Sequence, residues 1–551
     1  MPAQASVEVR NLLFLSAGFA VCVLFGYIAG ICTGTGPFIM KTFESTKCLV
    51  KRHSGMYEFD DVWHVPMGKK GKPVNCEVFK NMFPMNNSDI TMDEIVYAFQ
   101  IPPFPNESTA EFSKWVPSVE GFLLLDIVLK ENGSEGVHTQ TVERMWGSTK
   151  WRNRKHKGTV QHHLKLYMLY PQLTFEAKIG YRDKRDGDAN WTLIFETTDS
   201  RNLQCYANKN GGVQKYQYGC NFVPFFNLDN VYRDFYLINV RFPTDFIGKT
   251  SFNYDINYIL DLKMLFIYEG IEFIKVMTIF KILCYPFSVA LLLWFARHLY
   301  YKPLLLMEQV MLCLGTGLVL MNLPMECIRL FKEIPFMPLF EFVRKRFFFA
   351  ALVVFWSVFC GLFFKNEPEW NHISSYIPSL SPLFFLLAVF LLDLFEKGVQ
   401  VKNPFFSTWN LAVGIRHWPV FNIISGVLAT VYGFFLVGRL YIIFKNSVLA
   451  RKFYMNTRGA RLYKGAVHAF RFVMYLVCTS IFMTLLTYHI NQVDEIYIKG
   501  NGWNPFEFFS YQTAVYCGVY VLWNYTTFCL IILYAPARRY NPHPEGEEEG
   551  N

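Results

Sequence analysis

The chain has 551 residues, of which 52% are hydrophobic and 18% aromatic, while only 18% are charged, against roughly 25% in an ordinary soluble domain. With 55 phenylalanines it is neither a disordered chain nor a wholly soluble protein. The 53 basic and 44 acidic residues leave a net charge of +9, which over this length points to basic cytosolic loops rather than to a nucleic-acid surface.

A bilayer core takes about 20 mostly apolar residues per helix. The first such run is 11–40. Its apolar part, Leu12 to Cys32, is longer than the roughly 7–15 residues of a signal-peptide core, and Arg10 is the only basic residue before it. It is expected to be an uncleaved anchor, although Ala29 and Gly30 leave cleavage open. Residues 1–34 are therefore read as a cytosolic N-terminus and first transmembrane helix.

Residues 35–275 contain no spanning run. They carry four glycosylation sequons, at Asn86, Asn106, Asn132 and Asn190. They also hold four of the 13 cysteines, Cys48, Cys76, Cys205 and Cys220. An even count beside sequons points to an oxidising lumen and two disulfides. Three pairings are possible, and Cys48–Cys76 with Cys205–Cys220 close the shortest loops. Segments such as 163–167 and 191–195 alternate with period two between Gly, Asn and Asp clusters, and Asn210-Gly211-Gly212 reads as a hairpin turn. The expectation is a lumenal antiparallel β-sandwich.

Seven more apolar runs follow, at 282–296, 309–325, 347–364, 370–392, 417–438, 472–493 and 508–537. The first is short, but Lys281 and Arg297 can snorkel at its ends, giving a helix of about 276–298 kinked at Pro286. The domain reading is a seven-helix bundle over 276–537, then a short acidic cytosolic tail, 538–551. Residues 445–466 carry six basic side chains and no acidic one, which puts that loop in the cytosol, both termini with it, and 35–275 in the lumen. The loop 329–346 disagrees: assigned to the lumen, it holds five basic residues and two acidic.

No catalytic spacing is present: no phosphate-binding loop, paired CxxC, HExxH or nucleophile elbow. The chain is read as neither an enzyme nor a metal or cofactor protein. His162-His163 reads as a surface pair and His489 as a hydrogen-bonded packing residue. Ionisable or polar groups at helix ends carry more information. Asn322 to Glu326 closes the third apolar run, and Asp393 and Glu396 share a face at the end of the fifth.

Short strings take the reading further. Val223 to Phe226 and Phe235 to Pro243, Phe359-Cys360-Gly361, Asn371 to Ile373, Glu396 to Gln400 with Asn403-Pro404, Trp523-Asn524 and Tyr534 to Pro536 resemble the Wntless family, as do the contexts of the four lumenal cysteines. The resemblance runs in order from the first helix to about residue 537. It implies a multi-pass α-helical membrane protein of eight transmembrane helices, the last seven a receptor-like bundle, with a lumenal antiparallel β-sandwich. The implied function is a cargo receptor that binds palmitoleoylated Wnt proteins in the secretory pathway, carries them to the cell surface and recycles. The implied partners are Wnt proteins, membrane lipids, retromer and endocytic adaptors, with no nucleic acid; the implied compartments are endoplasmic reticulum, Golgi, plasma membrane and endosomes. A chain of about sixteen carbons in water costs on the order of 10 kcal/mol, at about 0.8 per methylene, so such a carrier must shield it.

Within that frame the acyl cavity is expected among the fourth, fifth and sixth helices, at Phe355, Phe359, Phe390, Tyr432 and Phe435. Asp393, Glu396 and Asn403 are expected on the lumenal rim, in contact with the protein part of the cargo. Phe359→Asp is expected to strand cargo without unfolding the carrier. Tyr463, in the basic loop, is the candidate sorting residue, although Tyr463-Lys464-Gly465-Ala466 departs from the family's Tyr-x-x-Leu. The alternatives are a seven-helix signalling receptor, whose usual Asp/Glu-Arg-Tyr and Asn-Pro-x-x-Tyr strings are missing, and a membrane acyltransferase built on His489.

Overall fold

A computed structural model of the chain describes residues 9–32, 37–49, 52–53, 56–57, 62–68, 72–78, 92–101, 115–129, 168–169, 172–203, 205–207, 217–229, 231–244, 246–247, 250–251, 253, 256–300, 304–332, 334, 336–362, 364, 371–407, 418–454, 471–490 and 512–534. The helices are α1 (Val9–Cys32), α2 (Ile271–Leu299), α3 (Leu306–Asn322), α4 (Met325–Phe331), α5 (Met337–Leu362), α6 (Ile377–Gln400), α7 (Trp418–Tyr454), α8 (Arg471–Ile490) and α9 (Gln512–Tyr534).

Among the described residues between α1 and α2 the regular elements are strands, apart from one 3-10 turn at Met92–Glu94. The strands are β1 (Phe38–Glu44), β2 (Thr46–Leu49), β3 (Arg52–His53), β4 (Met56–Tyr57), β5 (Glu77–Val78), β6 (Ile95–Ile101), β7 (Ser118–Leu129), β8 (Met168–Leu169), β9 (Gln172–Arg182), β10 (Thr192–Asn202), β11 (Cys205–Ala207), β12 (Gln217–Cys220), β13 (Val223–Asp229), β14 (Phe235–Arg241), β15 (Phe246–Ile247), β16 (Thr250–Ser251) and β17 (Ile256–Glu269). One sheet runs β1-β17-β7-β12-β11-β8 with β13 also on β7; the other runs β10-β9-β14-β6-β2-β5. Their ladders are antiparallel.

The period of two explains the sandwich. Tyr97, Phe99 and Ile101 of β6 and Tyr236, Ile238 and Val240 of β14 enter the core against Leu123 and Leu125 of β7 and Leu262 and Phe266 of β17. Their alternates face outward and are covered too. Val96 and Ala98 lie under Cys48 and Cys76, and Phe235 and Leu237 under Trp63, Val65 and Trp191. The covering segment is tied down where the Asn239 side chain exchanges hydrogen bonds with the His64 backbone, at 2.9 and 3.1 Å. The disulfides are Cys48–Cys76 and Cys205–Cys220. The first staples the cover to β2, and the second bridges the facing residues of the β11–β12 pair.

Six helices among the described residues are long and apolar enough to cross a membrane: α2, the α3–α4 stretch Leu306–Phe331, α5, the Ile424–Asn446 part of α7, α8 and α9. Helices α1 and α6 occupy the remaining two expected runs. The protein is a multi-pass membrane protein carrying a β-sandwich.

Several boundaries move. The first run does not stay helical to 40: α1 ends at Cys32 and β1 begins at Phe38. The first helix of the bundle begins at Ile271 rather than 276, and its first turn carries an exposed Glu272–Lys275 pair 3.0 Å apart. Lys281 does not snorkel. It is buried and paired with Glu326 on α4. Leu323-Pro324 divides the third run into α3 and α4. The basic stretch after 445 is not a loop from its start, since α7 runs to Tyr454; its Leu, Ala, Arg and Lys are good helix formers, and cations suit a helix C-terminus.

Helix α1 is an integral part of the bundle. Gly26 and Gly30, four residues apart, let its backbone meet α9: a Cβ on Gly26 would sit 3.2 Å from the Gly518 Cα, and one on Gly30 would overlap the Ala514 backbone. Across the core, Asn322 donates to Asn524 Oδ1 at 2.6 Å and to Ser288 Oγ at 3.2 Å, while the Tyr520 hydroxyl donates to Asn322 Oδ1 at 2.6 Å. This satisfied polar knot ties α2, α3 and α9. It also leaves Asn524, the only sequon residue in an apolar run, buried.

Candidate functional site: the joint between sandwich and bundle

The site has three features: an ion cluster and the end of α6 lie where the sandwich faces the bundle, and the α5–α6–α7 face lies further along the helices; each is built from residues far apart in sequence. The first is an ion cluster. Glu326 on α4 accepts from Lys281 on α2 and, at 3.3 Å, from Arg344 on α5. Glu341 accepts from Arg344 at 3.4 Å and from Lys345 at 3.2 Å. Arg344 also donates to the Leu323 carbonyl, at the break between α3 and α4. Arg329 donates to the Trp115 carbonyl, at the entry to β7. Four of the five basic residues of 329–346 are engaged in bonds within the protein, Arg329 and Arg344 buried and Lys345 and Arg346 half-exposed.

The second feature is the α5–α6–α7 face. Phe355 and Phe359, one turn apart on α5, are fully buried and stacked, with ring centroids 5.7 Å apart. Tyr432 on α7 bonds through its hydroxyl to Ser357 and stacks on Phe435 at 6.2 Å. Phe435 is 42% exposed, under the Arg439 guanidinium at 4.5 Å. Phe390 on α6 instead stacks on Phe342 at 5.7 Å, near the start of α5. The five residues therefore separate into a buried α5 pair, an α7 pair and a distant α6–α5 contact. Phe359 belongs to the closely packed core, so Phe359→Asp is expected to disturb the bundle itself as well as any cavity beside it.

The third feature is the end of α6. Asp393 pairs with Arg346 on α5 at 3.1 Å, and Glu396 accepts from Gln400 at 3.3 Å. Asn403 shapes the turn beyond the helix: its Oδ1 accepts the Phe405 N–H at 3.0 Å and its own N–H donates to the Val399 carbonyl at 2.9 Å. These three stand at one end of α6, but their described bonds run within the protein. Beyond them, Phe405 leaves the bundle and enters the sandwich core. It is 1% exposed among Phe175, Phe195, Phe225 and Phe226, with centroids 5.2–6.5 Å away. Its carbonyl accepts from Arg201 Nη2 at 2.6 Å. Asn227 on β13 donates its N–H to the Pro404 carbonyl at 2.8 Å and its side-chain amide to Gln400 at 3.0 Å.

Burial pushes the pKa of the Asp229 carboxyl on β13 up, with Lys397 of α6 opposing. Burial likewise lowers the pKa of Arg201, and the adjoining Asp199 carboxylate opposes that shift.

Sequence models of two domains match nearly the whole chain: the Wntless GOLD domain over residues 46–269, and the Wntless-like transmembrane domain over 271–538. Protein wntless of Drosophila grimshawi is 29% identical over 485 residues, covering 84% of this chain and 79% of that protein. Protein wntless of Drosophila sechellia is 31% identical over 395 residues, covering 69% and 68%. This chain belongs to the Wntless family. The two matched domains abut at Gly270, whose N–H donates to the Pro37 carbonyl at 2.9 Å, so the chain enters the sandwich at β1 and leaves it after β17 side by side.

Of the other sequence candidates, Asn190 is exposed in the turn before β10, bonded by its N–H to the Gly187 carbonyl at 3.1 Å. Asn86, Asn106, Asn132, Tyr463, the His162-His163 pair and the Asn210 turn lie outside the described residues. His489 Nε2 is bonded to Thr430 Oγ1 at 2.7 Å, between α8 and α7. Among the described residues no group of three or more His, Cys, Asp or Glu could hold a metal ion.

Sequence reasoning missed Phe405, Arg201 and the partners of Lys281. The ionisable pair Lys281 and Glu326 was the available signal, since a charge inside an apolar helix needs a partner. Phe405 gave none: one Phe among 55 has no mark that separates a plug from a lipid-facing ring.

Proposed function

We propose that this protein is a cargo receptor for lipid-modified Wnt proteins, binding the palmitoleoylated protein in the secretory pathway and carrying it to the cell surface. The observation that carries this reading is the match of both Wntless domains end to end along one chain, over 46–269 and 271–538. The architecture suits such a carrier, because a disulfide-bonded sandwich can engage a secreted protein on the lumenal side while a helix bundle shields an acyl chain in the membrane. With the sandwich lumenal, both termini are cytosolic and Asn190 is open to glycosylation.

Within this reading the acyl chain lies beside α5, α6 and α7, with Phe390, Tyr432 and Phe435 the residues to vary, and Asp393, Glu396 and Asn403 line the approach from the lumen. Return from the surface runs through retromer and endocytic adaptors acting on the cytosolic segment that contains Tyr463. The deciding experiment is co-purification from secreting cells with a palmitoleoylated Wnt and with the same Wnt carrying Ala at its acylated Ser. Recovery of the first and loss of the second supports the reading. Equal recovery of both removes the lipid from recognition, and recovery of neither removes the function.

A further inference from the structure

We propose that Phe405 and Arg201 form a latch through which the β-sandwich sets the position of α6. Four observations converge on it. The outward row of α6, Phe384, Leu387, Leu391 and Phe395, is exposed among the described residues. Toward α5 the helix is held by the Phe342–Phe390 stack and the Arg346–Asp393 pair. At its end it is seized by the other domain: Phe405 fills a socket of four rings, and Asn227 grips both Gln400 and Pro404. Arg201 closes the socket, since its guanidinium lies 5.2 Å over the Phe175 ring while bonding Asp199 and the Phe405 carbonyl.

The connection between plug and helix is short and internally bonded. Lys402 and Asn403 donate to the Val399 carbonyl at 3.0 and 2.9 Å, Phe406 donates to the Asn403 carbonyl at 3.1 Å, and the Asn403 side chain holds the Phe405 N–H. A shift of β10 or β13 is therefore passed to α6 with little slack, because a socket packed at crystal-like density does not deform smoothly. In the carrier reading, on which this consequence rests, protein cargo engaging the sandwich is felt at the helix that bears Phe390, Asp393 and Glu396.

The test is hydrogen exchange on the full chain in lipid nanodiscs, for the wild type, Phe405→Ala, Phe405→Leu and Arg201→Gln. Without cargo, Phe405→Ala and Arg201→Gln should speed exchange over 393–407 at least about tenfold, with β9 and β14 within about twofold of wild type; Phe405→Leu, which refills the socket, should recover most of the protection. Exchange over 393–407 within about twofold of wild type in Phe405→Ala, or equal loosening of the sandwich strands, overturns the latch. In the second arm, palmitoleoylated Wnt should slow exchange over 393–407 in the wild type and not in Phe405→Ala. Equal slowing in both overturns the coupling. Failure of the wild type to capture Wnt at all counts against the carrier function and leaves the cargo-free arm to judge the latch.

Discussion

Replacing Glu326 by Gln should unlock the joint from the bundle side. Glu326 is the shared acceptor of Lys281 and Arg344, and the Lys281 and Glu326 side chains are only 8% and 9% exposed. At an effective dielectric of about 20, a unit pair separated as Arg344 and Glu326 are attracts by about 5 kcal/mol before desolvation is counted. Removing one partner of a buried pair costs about 3–5 kcal/mol, because the remaining charge stays buried without compensation. Arg344 keeps Glu341 and the Leu323 carbonyl, so Lys281 bears most of the loss. At about 2–4 °C per kcal/mol for a domain of this size, the thermal midpoint should fall on the order of 10 °C. The assay is thiol-reactive dye unfolding in detergent, which reports on the buried Cys360, Cys517 and Cys529 of the bundle. Removing both charges in Lys281→Met/Glu326→Gln should recover much of the drop, since an apolar replacement of a buried pair is often neutral. A midpoint within about 1 °C of wild type for Glu326→Gln would refute the cluster as a stabilising element.

Three further outcomes follow from the same structure. Gly30→Leu should separate α1 from α9, seen as a lower unfolding midpoint and reduced surface expression, whereas Ala17→Leu on the exposed side of α1 should be silent. Cys205→Ser with Cys220→Ser should destabilise the sandwich by about 3 kcal/mol, the loop-closure value for a span of about 15 residues, measured by denaturant unfolding. Burial, with Asp261 directly opposite on β17, raises the pKa of Asp126 above its usual value of 3.8. The folded state then binds the proton more readily than the unfolded one, so Asp126 costs stability once the pH rises above 3.8 and through the raised folded value. Asp126→Asn should therefore stabilise the sandwich at neutral pH, with the gain vanishing below pH 3.8; a gain that persists in acid would mean that charge is not its cause.

What the chain's own residues determined is the division of labour. The apolar runs became helices over most of their length, because in lipid the backbone must satisfy its own hydrogen bonds. The stretch between the first two runs, with its period of two and its four cysteines, became the sandwich, and the paired cysteines are those that close the shortest loops. The tertiary structure alone decided which way the side chains of the bundle face. A helix that is apolar all round carries no stripe to separate core from lipid, so Phe359 at the centre and Phe435 at the edge read alike in the sequence. Long-range electrostatics was equally hidden: nothing near residue 281 announces residue 326, and Arg329, Arg344 and Arg346 look like unpaired loop cations until their partners are seen. Phe405 stands 180 residues from Phe225, the ring nearest to it, and only folding, by laying the end of α6 against β13, turns an ordinary aromatic of a helix-end loop into part of another domain's core.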